Sequence, residues 1–151
     1  MIMDGDAAKR QQLESKSRQI RLAEQTITTL RTEISALNQD LADLERLRDC
    51  CMDAHDQFGC ALQVVSAKVN ALEAFRETSK SAVGFRESVM GVLDGSSRTH
   101  CTNKIDHGIE ILNQKINKLV LKIELKSSGL ASANQHMSGL KYEYSRLQRS
   151  L

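Results

Sequence analysis

Aliphatic residues return at every seventh position early in the chain, at Leu13, Ile20, Ile27, Ile34 and Leu41, with Leu30, Leu37 and Leu44 three places behind the last of them. This spacing keeps one helix face apolar for about five heptads, the seam of a coiled coil. A second series, Cys51, Phe58, Val65 and Leu72, restarts ten residues after Leu41. It reads as a three-residue insertion into the heptads, a stammer that overwinds a supercoil locally. Ala54, Ala61, Leu62, Val69 and Phe75 widen the stripe there, which implies burial by more than one neighbour.

The stretch TSKSAVG, residues 78–84, breaks the pattern with small and polar residues and predicts a turn. FRESVMGVL then predicts a short helix over 85–93, with Phe85, Val89, Val92 and Leu93 on or near one face, and DGSSRTH after it carries the strongest loop signal. Beyond that loop Ile109, Ile116, Ile123, Leu130, Met137, Tyr144 and Leu151 keep strict seven-residue spacing, interleaved with Ile105, Leu112, Leu119, Ala133, Leu140 and Leu147. Only Lys126 interrupts the second row.

The expected fold is therefore all-α, a single elongated domain over 1–151. It is a long antiparallel two-helix coiled-coil hairpin with a short extra helix near the turn. The helices are predicted over about 6–78, 85–93 and 100–150. A turn near residue 81 pairs positions whose numbers sum to about 162, which sets Ile27 and Ile34 against the 123–140 stretch. A parallel homodimer is the alternative that the pattern leaves open.

Composition agrees with rods of helix. Proline and tryptophan are absent, aromatics make up 3% and charged residues 26%, so helix breakers and large core rings are both scarce. Residues 99–151 hold eight of the 21 basic side chains and four of the 19 acidic ones. These lysines spread around a helix without aromatic interleaving or a reading motif, which argues against nucleic acid as a partner. The segment MIMDGDAAKRQQLESK has no apolar signal-peptide stretch and no segment is apolar enough to span a membrane, so synthesis and residence in the cytoplasm are expected.

Candidate chemistry is thin. Cys51 and His55 lie four apart on one helix face, and the hairpin register brings His107 opposite His55 and Cys101 near Cys60, a donor set that zinc would accept. Neither CxxC nor HExxH spacing occurs, and Cys51 sits in a row where a small hydrophobe is expected. The four cysteines, Cys50 included, read as reduced packing residues, with no metal and no cofactor. His100 beside Cys101 is explained by capping or exposure. No nucleophile elbow or phosphate-binding glycine loop is present, so the chain is expected not to be an enzyme.

What remains is surface. INKLVLKIEL, residues 116–125, carries six aliphatics in ten positions. Ile116, Leu119 and Ile123 belong to the seam and Val120 flanks it. Leu121 and Leu125, with Ile111 before them, fall roughly 130–170° round from the seam at 100° per residue. Isolated surface aliphatics are common, but three on an otherwise polar back face suggest a second contact face. Together with the wide stripe around Leu62 and Val69, they predict a helical protein partner docking along the middle of the rod.

The heptad-rich first helix, ALEAF before a small-residue turn, and IDHGIEILNQKINKLVLKIE opening the last helix resemble one family. It comprises the small α-helical, Lap-type proteins encoded beside LXG toxins in bacterial type VII secretion, relatives of the WXG superfamily. The resemblance implies a targeting factor or chaperone that binds the helical LXG domain of a toxin, together with a second small helical protein in a larger complex. It also implies co-export with that partner without a cleaved signal peptide. The sequence departs from the family in having no W-x-G at the turn. Tyr142 and Tyr144 are followed four residues on by Arg146 and Gln148, and Phe75 by Ser79, so the acidic export signal is missing. A signal-free partner is what this implies. The rival expectation is a self-associating structural coiled coil, a scaffold or adaptor unrelated to secretion.

Overall fold

The computed structural model of the protein describes residues 2–71, 80–93 and 95–151. Helix α1 covers Ile2–Ala71, α2 Lys80–Leu93 and α3 Ser96–Arg149, and no described residue lies in a strand. The fold is all-α, a helical hairpin. The chain divides into two compact units, the first formed by Met1–Leu41 with Lys118–Leu151 and the second by Ala42–Asn117.

In the first unit α1 and α3 run antiparallel. Lys9 Nζ donates to the Ser150 carbonyl at 2.9 Å, Lys16 pairs with Glu143, and Lys126 Nζ lies 2.6 Å from Glu33. Between these polar ties Ala23, Ile27 and Leu140 are buried, Ile27 most deeply at 3% exposed. Leu13, Ile20, Leu30, Ile34, Ile123, Leu130, Met137, Tyr144 and Leu147 are half-buried beside them. The expected antiparallel pairing is observed. Leu151 is the exception among the expected seam residues, since α3 stops at Arg149 and Leu151 is exposed.

The second unit corrects the reading of α1 beyond Leu41. Buried or half-buried positions continue as Arg48, His55, Leu62 and Val69 in one row and Leu44, Cys51 and Phe58 in the other. The heptads therefore run on without a stammer. The sequence hid this because two row positions are polar. Arg48 Nη1 donates to Asn113 Oδ1 at 3.4 Å, and His55 Nε2 lies 3.3 Å from Asp106 Oδ1, so each polar side chain satisfies its head on α3 while its stem fills the seam. Val65, expected in the core, is exposed, as are Ala54 and Ala61, so the stripe is not widened by them. Leu72 and Phe75 lie outside the described residues.

Helix α2 packs Val83, Arg86, Val89, Met90 and Leu93 inward, Leu93 being buried, and Arg86 Nη2 donates to Asn70 Oδ1 at 3.2 Å. Phe85 and Val92 instead face water. The four residues expected to share one face thus divide between two. The expected turn at 78–84 is corrected as well. Lys80–Gly84 form the first turns of α2, where Lys, Ser and Ala are compatible with helix, while Thr78 and Ser79 lie outside the described residues.

The DGSSRTH loop is shorter than expected, because α3 already begins at Ser96. Serines favoured in loops are equally favoured at helix starts. Gly95 is the constrained position of this junction. A Cβ on it would stand 2.3 Å from the Gly91 carbonyl oxygen, and its own carbonyl accepts from the Thr99 N–H at 3.4 Å. Gly95→Ala is expected to destabilise the protein by about 1–3 kcal/mol, the usual cost of forcing atoms into occupied space. Gly84→Ala, whose Cβ meets nothing within 4 Å, supplies the control. Chemical denaturation of the two variants measures the difference, and equal midpoints would show that the junction yields freely.

Candidate helix-docking face

Helix α3 carries two apolar stripes in the first unit. One is the seam. The other is Leu121 and Leu125, one turn apart, 59% and 74% exposed. At 100° per residue, side chains four apart stand one above the other on the same face. The seam that orients α3 therefore also aims this pair outward. Leu125 lies beside a shallow open groove whose walls are Glu33, Ala36 and Leu37 of α1 and Lys122, Leu125 and Lys126 of α3. Ala36 is small and exposed, so a third helix can approach the α1 backbone closely there.

Electrostatics divide this groove. Lys126 occupies a seam row and is tied to Glu33 at 2.6 Å. Lys122, four residues before it, and Lys118, four before that, are exposed and have no acidic partner among the described residues. Like charges at this spacing weakly destabilise a helix. Elsewhere in the unit the Glu143 carboxyl is held below the usual carboxylate range by the hydrogen bond from Lys16, and then by the charge of that same ammonium.

The other residues expected to border a contact surface lie in the second unit. Ile111 is 38% exposed, in keeping with its outward heptad position. Val69 is 6% exposed and Leu62 half-buried, because both continue the α1 seam row that Arg48 and His55 concealed. Their side chains are engaged in packing of the unit itself. The outward aliphatics nearest them are Val64, which the sequence reading did not single out, and Val65, which it placed in a core row. Their positions beside a continuous heptad row would have shown this, had the row been recognised.

Of the cysteines, all free, Cys51 is half-buried in the seam, as a small hydrophobe would be, whereas Cys50, Cys60 and Cys101 are exposed and do not serve a core. His55 faces Asp106, one residue before the expected His107, with Asp56 Oδ1 3.6 Å from its Nδ1. Among the described residues no three His, Cys, Asp or Glu side chains converge to hold a metal ion, and no helix is long and apolar enough to cross a membrane. No protein family, curated protein or solved structure matches the chain.

Proposed function

We propose that this chain is a non-enzymatic helical binding protein that receives another helix on the outward face of α3. The observation that carries the reading is the pair Leu121 and Leu125, exposed on a helix whose seam is already occupied by α1. Burying a leucine contributes about 1.5–3 kcal/mol, so two anchors supply a useful share of the roughly −8 kcal/mol of a micromolar complex once association costs are met. The resemblance to proteins encoded beside LXG toxins gives the reading its concrete form. In that form the chain is a targeting factor or chaperone whose partner is the helical LXG domain of a type VII secreted toxin.

The test is capture of a co-expressed LXG domain by the full chain and by the Leu121→Lys, Leu125→Lys double variant. The variant is expected to weaken capture by at least about tenfold, the loss of one leucine's burial. Its helicity and melting temperature should stay near the parent's, since neither side chain belongs to the seam. Undiminished capture, or collapse of the free variant, would assign these leucines to the hairpin's own packing. A mass measurement of the free chain addresses the rival scaffold, which requires self-association through the same face.

A further inference from the structure

Docking faces of paired helices are usually read by their apolar anchors alone, but here the flanking charge is informative. Resting on the helix-binding reading above, we infer that the face around Leu121 and Leu125 selects an acidic amphipathic helix. Such a helix has apolar residues at three- and four-residue spacing and Asp or Glu along the edge that meets Lys118 and Lys122. In the first unit the groove wall offers Ala36, Leu37 and Leu125 as apolar floor, with Lys122 and Lys126 beside it. Lys126 is spoken for by Glu33. Lys118 and Lys122 are not, and they stand in line with the leucines at one-turn intervals, Lys118 and Lys122 alternating with Leu121 and Leu125. A helix laid along this line meets apolar side chain and ammonium in turn.

The same charges argue against a second copy of this chain as the occupant. A two-fold contact through this face sets the same patch against itself, which gathers Lys118 and Lys122 of both copies, four ammonium groups, into one contact. Like charges facing each other across an interface are costly and suppress the wrong partner. An acidic helix removes that cost and gains steering from it.

Two synthetic peptides of matched helicity test this, each with the same leucine pattern, one carrying glutamate and the other lysine at every flanking position. Binding to the full-length chain is followed by fluorescence anisotropy at low and high salt. The glutamate peptide should bind at least about tenfold tighter than the lysine peptide, with the gap closing in high salt. Lys118→Glu with Lys122→Glu should reverse the order of the two peptides, and the milder Lys118→Gln with Lys122→Gln should level it; circular dichroism confirms that each variant is folded. Equal binding of both peptides that is lost in the Leu121→Lys, Leu125→Lys variant overturns the acidic selection while leaving helix binding intact. Peptide binding that survives in that variant, or no binding of either peptide, overturns both. A dimer of the free chain that the leucine variant dissolves makes a second copy the occupant and overturns the acidic partner.

Discussion

Ile27→Ala is expected to lower the unfolding free energy by about 2–4 kcal/mol, the cost of deleting buried methylenes and leaving a partly collapsed cavity. Ile27 is the least exposed side chain of the first unit, at 3%, and sits midway along the row that faces α3. Few of the described side chains are so enclosed. Among the described residues Ala23, Val69, Leu93, Ile116 and Leu140 complete the buried apolar set, and none of its members is fully sealed from water. A single truncation therefore removes a large part of what holds the two helices together. Leu22, 63% exposed on the same helix, is the comparison, and Leu22→Ala should move stability by no more than about 0.5 kcal/mol. Urea titration of both variants decides the matter, and similar losses in the two would mean that α3 does not enclose Ile27.

The second large effect concerns four polar residues placed where a coiled coil wants hydrophobes. Lys16, Arg48, His55 and Lys126 all occupy seam rows, and each finds a polar partner on the opposite helix: Glu143, Asn113, Asp106 and Glu33 in turn. Exposed or half-exposed pairs of this kind add little stability. Their value lies in specificity, because a polar group in a seam is tolerated only in the arrangement that gives it a partner. In a parallel homodimer Lys16 and Arg48 would each meet their own copies. Changing all four to leucine is expected to raise the unfolding free energy by about 1–4 kcal/mol. It should also convert a single species into a mixture of hairpin and intermolecular assemblies. Sedimentation velocity beside a thermal melt reads both outcomes. If the quadruple variant sediments as the same single species as its parent, the polar pairs do not choose the register.

Those four residues also mark what could and could not be read from the amino acids. Along α3 the rows are almost wholly aliphatic from Ile105 to Leu147, and apolar periodicity sufficed to place every seam residue, Lys126 included as an interruption. Along α1 the same periodicity failed after Leu41, because Arg48 and His55 look like surface residues until their partners on α3 are known. Reading past them turned the continuous heptads into a three-residue insertion, placed Val65 in the core where the structure exposes it, and assigned Val69, which is buried, to a contact surface. The outward placement of Leu121 and Leu125 needed only helix geometry and was legible. The pairing of positions that sum to about 162 already set Ala36 and Leu37 opposite Lys126 and Leu125, but periodicity carried no signal that an open groove lies between them. At the junction of α2 and α3 local composition pointed to a long loop. Among the described residues Gly95, set close against Gly91, stands at that junction instead.

The wide sequence separation of the ties in the first unit bears on how a ribosome must deliver this protein. Glu33 waits 93 residues for Lys126, Lys16 waits 127 for Glu143, and Lys9 waits 141 for Ser150. At a synthesis rate of about 5–20 residues per second these intervals last about 5–30 s. Throughout them the newborn α1 carries five heptads of aliphatics with nothing to cover them, a hazard for aggregation while neighbouring copies emerge from the same message. The closer pairs, His55 with Asp106 and Arg48 with Asn113, complete first, so closure is expected to start there and zip toward the N-terminus as α3 lengthens. A chain built this way is exposed for longest along the strip between Leu13 and Leu41, and that strip is where a cellular holdase would have to grip it.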